Sequence, residues 1–314
     1  MLPQITIATI VVNYRSEQRT IRCISEELTR CTLPHRIIVV NNGATAATNA
    51  TLALALNATV VDKIAQPIDP QTKIFIINTP LNNGFARGNN LGVEFVTTHF
   101  DVEYLLFSNN DIVLRSDHTI ESLVGRLSTL PDVGIIGPKI VGLDGEYQTP
   151  YLYSSFWREM VMSQWGRFVP FYRGKEYQDG KLFIRESAHE GYYYRVMGSF
   201  FVAKTEVYIA CGKMDPNTFL YGEEVILAER MLRIGQYNYY YPSVEILHEH
   251  GTTINNNRDL FRGRDYLAES LFYYYREYRG VSNYAIHIAK ALRWIFASAQ
   301  SVINQMERVL CRRS

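Results

Sequence analysis

The chain has 314 residues, of which 47% are apolar and 20% charged, with a formal net charge of +1. That length and composition suit one large α/β domain with an extension, or two small domains, with apolar residues enough for a sizeable core. A near-neutral chain carries no global field for nucleic acid, and no apolar run reaches the ~20 residues that span a bilayer.

Gln4 to Asn13 (QITIATIVVN) is β-branched and apolar, as in a strand buried on both faces. The N-terminus runs straight into it, without a basic region or small-residue cleavage site, so no signal peptide is expected. Ser16 to Cys31 has helical spacing, with Ile21, Ile24, Leu28 and Cys31 on one side. Arg36 to Val40 is a second strand that ends on the turn signal Asn41-Asn42-Gly43. Thr45 to Val61 is in part helical, Lys73 to Asn78 extended, Gly88 to Thr98 helical, and Val102 to Ser108 a strand running into Asn109-Asn110-Asp111. Asp117 to Leu130 reads as a helix and Val133 to Ile140 as a strand. Strands alternating with helices predict a single, mainly parallel, twisted sheet flanked by helices. Ligands of such sheets bind at the carboxyl ends of the strands.

Residues 144–195 are rich in Tyr, Arg, Gly and Glu with weak periodicity, and read as loops that build an acceptor wall. Many of the chain's 22 tyrosines cluster there, and their flat faces suit sugars. Val196 to Lys204 returns to a strand pattern, Glu223 to Ile234 is helical, and Tyr237 to Tyr241 and Val244 to His248 are extended. Ala285, Ile288, Leu292, Ile295, Ala299, Val302, Met306 and Val309 then recur at spacings of three and four. This C-terminal amphipathic helix carries Lys290, Arg293, Arg308, Arg312 and Arg313 on its other faces. It fits packing on its own chain, a helical dimer seam, or an interfacial helix at a membrane surface. The cysteines, Cys23, Cys31, Cys211 and Cys311, form no C-x-x-C pair and no metal spacing, which fits free thiols in a reducing, cytoplasmic compartment.

Four segments have the residues for chemistry. Asp111 follows an apolar strand, where a carboxylate is poorly placed for packing and well placed for a ligand. Mg²⁺ or Mn²⁺ takes hard oxygen ligands and often uses one or two carboxylates plus diphosphate oxygens, and Asn109 can add an amide or water-mediated contact. A capping turn would use the same residues. In Asn82-Asn83-Gly84-Phe85-Ala86-Arg87-Gly88-Asn89-Asn90, the glycines allow close backbone approach, a helix start favours anions, and Arg87 suits phosphate. Glu223 and Glu224 open a helix; one can be a general base and the other structural. His248 ends an extended segment and can complete a metal shell or bind a diphosphate oxygen.

These pieces, in this order, resemble glycosyltransferase family 2, with the GT-A fold, and most of all its rhamnosyltransferase-like branch. The resemblance covers residues 5 to about 280. Ile10 to Tyr14 (IVVNY) looks like the first strand and nucleotide loop, which implies that Val12, Asn13 and Tyr14 line the nucleotide. Ile37 to Gly43 is similar to the second strand, with Asn41 where many members place a base-contacting acid. Asn82 to Gly92 resembles the N-x-G-F-x-x-G-N-N stretch, which brings Asn83, Gly84, Arg87 and Asn89 to the nucleotide side. Ser108 to Leu114 resembles the D-x-D-like metal motif, with Asp111 at the kept carboxylate and Asn109 at the first position for the metal, and Asn110 between them on the nucleotide-sugar side. Tyr221 to Leu227 (YGEEVIL) stands where the family reads Y-G-E-D-V-D-L, implying Glu224 as the base with Glu223 in reserve. His248 matches the histidine linked to metal and diphosphate, and Tyr274 to Arg276 resembles a Y-x-R-N region with Glu277 for asparagine.

The resemblance implies an inverting transferase that uses Mg²⁺ or Mn²⁺. It would move rhamnose or another hexose from a dTDP- or UDP-sugar to a saccharide hydroxyl in cell-surface polysaccharide assembly. Residues 1–143 would form the nucleotide half, 144–280 the acceptor and catalytic half, and 281–314 the tail. The basic tail suggests a lipid-linked acceptor at the inner membrane face, or a homo-oligomer through 284–310. Asn41, Asn109, Ile226 and Glu277 keep a rival in view, a nucleotide-sugar-binding or assembly subunit without catalysis. A nucleotidyltransferase would need a Gly/Arg-rich loop with lysine after the first strand, which Val12-Asn13-Tyr14-Arg15 does not provide.

Overall fold

The computed structural model describes residues 2–162, 188–249 and 257–311, without the side chains of 257–264 and 299–311. The expected acceptor wall at 144–195 thus lies partly outside the described residues.

Strand β1 (Gln4–Asn13) lies between β2 (His35–Asn42) and β5 (Asp101–Ser108), parallel to both. Its residues alternate between two cores: Ala8 and Ile10 pack on one face of the sheet, Ile7 and Val11 on the other. Each fully buried Ile or Val side chain is worth about 1.5–3 kcal/mol against exposure. The helical stretch after β1 is α1 (Glu17–Arg22), continued by a wider π turn (Cys23–Glu27) and a 3₁₀ turn (Leu28–Arg30). Cys23, Ile24, Glu27 and Leu28 are all buried there. Glu27 is tied down by accepting from the Leu114 N–H at 2.8 Å and from Arg30 at 3.0 Å.

Helix α2 (Ala46–Leu56) begins on a reciprocal cap between Thr45 and Thr48 and stops at Asn57, which adopts φ +49°. The partly helical reading of Thr45 to Val61 is thus met by a helix over its first part. The β-branched Thr59–Val61 instead forms an edge strand, β3, parallel to β4 (Ile74–Thr79). Then come α3 (Phe85–His99), β6 (Ile112–Leu114), α4 (Thr119–Ser128) and β7 (Val133–Gly142). After them lie β8 (Gly191–Tyr193), β9 (Phe200–Lys204), α5 (Thr205–Ala210), α6 (Glu223–Arg233), β10 (Tyr237–His248), α7 (Asn257–Glu277) and α8 (Asn283–Cys311).

The described strands form one sheet in the order β3-β4-β2-β1-β5-β9-β7-β10-β6, with β8 also on β10. From β3 to β5 it is parallel, as expected. Beyond β5 it is mixed: β9 runs antiparallel to β5 and β7, while β6 and β8 run antiparallel to β10. The chain returns from β7 through a long excursion and enters β9 in the opposite direction. Its FFVAK is apolar enough to be covered on both sides. The chain leaves β1 toward β2 on one side and β5 lies on the other, so strand order reverses between β1 and β5. A ligand crevice belongs at their carboxyl ends.

Residues 2–151, 188–249 and 257–270 make one compact unit; 152–162 and 271–311 make a second. In the second unit Tyr275 donates to the Ser154 carbonyl at 3.0 Å and to Glu159 at 2.5 Å, and its ring meets Phe156 edge-on at 5.2 Å. Ile286 and Ala289 of α8 are buried, whereas Ile295 is exposed. The covered face at the start of α8 is therefore rotated by about one residue from the 285/288/292/295 stripe. No described helix is long and apolar enough to cross a membrane.

Candidate active site

At the switch point, β5 ends in Asn109-Asn110-Asp111 before β6. Register places Ile112 of β6 opposite His248, the last residue of β10, so Asp111 and His248 become neighbours 137 positions apart in sequence. His248 Nε2 is 3.2 Å from Asp111 Oδ1 and 3.5 Å from Asn109 Nδ2. Its Nδ1 is 2.6 Å from Gln148 Oε1. His248 is 1% exposed, and Asp111 is also buried. Backbone bonds fix the turn: Asn109 N–H donates to the Ser199 carbonyl at 2.8 Å, and Glu249 N–H to that of Asp111 at 2.9 Å.

Helix α6 starts after Tyr221 and Gly222, both with positive φ, +68° and +81°. Such a turn aims the first helical residues at the strand ends. Glu223 is 3% exposed, and burial, then the charge of Glu224, push its carboxyl up to about 8. Glu224 is partly exposed and accepts from Arg195 Nη1 at 3.2 Å. The Arg195 guanidinium lies 3.8 Å over the Tyr151 ring centroid, and the two residues also exchange backbone hydrogen bonds. The Tyr221 hydroxyl is pushed up by burial and then by the charges of Glu223, Glu224 and Asp111. Glu224 lies against Gly198, and the next residue, Ser199, accepts from Asn109 N–H, so the acidic start of α6 and the Asp111 turn share one neighbourhood.

The expected nucleotide residues divide. Tyr14, Asn83 and Arg87 are exposed at this edge. Tyr14 lies over Gly43, and Arg87 Nε donates to the Pro216 carbonyl at 2.8 Å. Asn13 and Asn41 turn inward. Asn13 Nδ2 donates to Asn41 Oδ1 at 2.8 Å, its Oδ1 accepts from Thr20 at 2.7 Å, and Asn41 Nδ2 donates to Asn49 at 2.7 Å. Parallel pairing sets the two amides side by side, and buried amides must satisfy one another. Asn110 extends this network, donating to Ser16 at 2.7 Å and Thr20 at 2.8 Å. Asn89 is buried and donates to Phe85 O at 3.0 Å within α3; Val12 is half-buried against Gly88. Gly84 has φ +85°, and a Cβ there would collide with the Phe219 carbonyl oxygen, which also accepts from Phe85 N–H at 2.9 Å. Its close backbone approach is thus to the loop before α6.

Among the described residues no cluster of three or more His, Cys, Asp or Glu side chains has metal-holding geometry. The pair that is present still fits a hard cation. Two adjacent ligands of a six-coordinate Mg²⁺ at ~2.1 Å stand about 3 Å apart, and such ions take their remaining ligands from water and phosphate oxygens. The 3.2 Å between His248 Nε2 and Asp111 Oδ1 meets that requirement. Arg195, Tyr151 and Gln148 are the contributors that sequence reasoning missed. The Asp144-Gly145 turn signals a hairpin after β7, but no local pattern shows that Gln148 on its return arm reaches His248.

Comparison with known proteins gives the same architecture. The model of glycosyl transferase family 2 matches residues 8–196. No curated protein sequence matches. A crystal structure of GalNAc-T7 with UDP, GalNAc and Mn²⁺ superposes with a TM-score of 0.53 at 12% identity, covering 79% of this chain and 44% of that one. The chain thus spans less than half the length of that neighbour. TarS 1–349 of S. aureus gives 0.51 at 11% identity, over 88% of this chain and 73% of that one. A mycobacterial protein gives 0.53 at 16%, over 85% and 74%. At such identities the likeness is one of fold, a mixed α/β sheet flanked by helices in the GT-A arrangement. Since the family match itself extends over more than half of the residues, the chain belongs to glycosyl transferase family 2.

Proposed function

We propose that this protein is an inverting, metal-dependent transferase. It moves a hexose, rhamnose or another, from a dTDP- or UDP-sugar to a saccharide hydroxyl in cell-surface polysaccharide assembly. The observation that carries the reading is the meeting of Asp111 and His248 beside the acidic start of α6. Glu224 is the base. Burial, then the charge of Glu224, favours the protonated form of Glu223, which suits it less to take another proton. Arg195 holds Glu224 by one oxygen, Oε1.

In the transfer, the acceptor oxygen forms its bond to the anomeric carbon from the face opposite the diphosphate. The bond from that carbon to the phosphate oxygen breaks, and its electron pair leaves with the nucleoside diphosphate. The acceptor's proton passes to Glu224. Asp111 and His248, with Asn109 beside them, would hold Mg²⁺ or Mn²⁺. When bound, that ion supplies positive charge to the diphosphate leaving group. Tyr14, Asn83 and Arg87 form the exposed nucleotide side, and Asn13, Asn41 and Asn110 brace the strand ends beneath it.

The test is turnover of UDP-, dTDP- and GDP-sugars with Mn²⁺ and a crude acceptor. Transfer that disappears in Glu224→Gln supports the reading, whereas binding without turnover in the wild type favours a non-catalytic subunit. The exposed Tyr284, Trp294 and Ile295 on α8, beside its basic residues, support docking at the inner membrane face with a lipid-linked acceptor. Liposome flotation with and without residues 284–314 tests this, and equal recovery removes the membrane role.

A further inference from the structure

Gln148 stands on the return arm of the hairpin that follows β7. Its backbone N–H donates to the Ile140 carbonyl at 2.9 Å, and Val141 pairs with Tyr147 one step away. Its side chain crosses Gly142, which is paired in the sheet with His248. A Cβ at Gly142 would lie 2.9 Å from Gln148 Nε2 and 2.5 Å from Asp144 Oδ1, so a larger residue there would push the amide aside. With its nitrogen over Gly142, the amide presents its oxygen to the imidazole, and Oε1 is 2.6 Å from His248 Nδ1.

An oxygen at that distance accepts a proton from Nδ1, and a neutral imidazole with its proton on Nδ1 carries a lone pair on Nε2. Nε2 is the atom 3.2 Å from Asp111 Oδ1. Asp111 by itself would favour the opposite tautomer, with Nε2 donating a hydrogen bond to its carboxylate, and the Gln148 oxygen opposes that preference. A proton on Nε2 would block a metal. Asn109 Nδ2, 3.5 Å from Nε2, is a donor and so also faces that lone pair.

We propose that Gln148 is a positioning residue that keeps the His248 proton on Nδ1, so that Nε2 faces Asp111 ready to bind a divalent cation. The inference rests on the reading of Asp111 and His248 as cation ligands. Partners that orient a ligating histidine in this way typically contribute 10–100-fold to metal affinity.

The first readout needs no activity and no metal. In ¹⁵N-labelled wild-type protein at pH 8, with the His248 signals assigned from His248→Ala, the ring should carry its proton on Nδ1. A proton on Nε2, or on both nitrogens, overturns the inference. The second readout is Mn²⁺ titration followed by electron paramagnetic resonance, with the metal alone and with UDP. Gln148→Leu should bind Mn²⁺ about 10–100-fold more weakly, and Gln148→Glu, which keeps an acceptor oxygen at Nδ1, should restore most of that loss. Wild-type Mn²⁺ affinity in Gln148→Leu, or Leu-like weakness in Gln148→Glu, overturns it. If Gln148→Leu fails to fold, the wild-type tautomer and the Gln148→Glu titration decide. Undiminished Mn²⁺ binding in His248→Ala would remove the cation reading and the inference with it. Weak binding in His248→Ala together with full binding in Gln148→Leu would remove the inference alone.

Discussion

Replacing Glu223 with glutamine keeps the shape of a buried side chain and deletes its ability to ionise. In the folded protein this carboxyl is pushed up to about 8, first by burial and then by Glu224, against a reference value of 4.5. A raised carboxyl stabilises the fold fully below the unfolded value, where both states carry the proton. As pH climbs from 4.5 toward 8, the unfolded chain loses that proton and the folded chain keeps it, so folding must take one up. Stability then falls by about 1.4 kcal/mol per pH unit. From pH 4.5 to pH 7 the loss sums to about 3 kcal/mol, and above the folded value it stops growing. Glu223→Gln has no such proton to take up. The variant should match the wild type near pH 4.5 and exceed it by about 3 kcal/mol at pH 7. Urea unfolding of both proteins at pH 5, 6, 7 and 8 measures the difference. A gap that stays flat over that range, or narrows as pH rises, would refute the placement of Glu223 as a buried, protonated acid and reopen it as the base.

Glu224→Gln should lower kcat by about 10²–10⁴-fold while nucleotide binding by calorimetry stays near the wild-type value, because the variant removes a proton acceptor and no donor contact. Gly84→Ala should lower the melting temperature in a thermal scan, since alanine meets both a φ of +85° and the Phe219 carbonyl; an unchanged melt would mean that the loop before α6 moves aside freely. Asn13→Ala leaves Asn41 Oδ1 and the Thr20 hydroxyl without their buried partner, which costs about 1–3 kcal/mol in chemical denaturation. Nucleotide affinity of the folded variant should change little, and a large loss would instead make Asn13 a ligand contact.

The parallel half of the sheet is legible in the residues themselves. QITIATIVVN, the strand at Ile74–Thr79 and the strand at Asp101–Ser108 are apolar runs between helical segments, and local pattern suffices for such elements. The motif at 109–111, the paired acids at 223 and 224, and the histidine at 248 were also visible, because residues able to bind a cation or take a proton follow apolar runs in the order that the family motifs have. Local pattern did not reveal the antiparallel entry of β9, since direction in a sheet depends on the path of the long connection and not on the alternation of side chains. Nor did it separate Tyr14, Asn83 and Arg87, which face solvent, from Asn13, Asn41 and Asn89, which do not. All six sit at or near strand ends and a helix start, and only the register of β1 against β2 and the packing of α3 decide which amides are consumed internally. Likewise the ionisation of Glu223 is set by burial, and the orientation of His248 by a glutamine 100 positions earlier in the chain. Short-range sequence fixes which residues are chemically able to act; desolvation and long-range hydrogen bonding, which exist only once the chain has closed on itself, select among them.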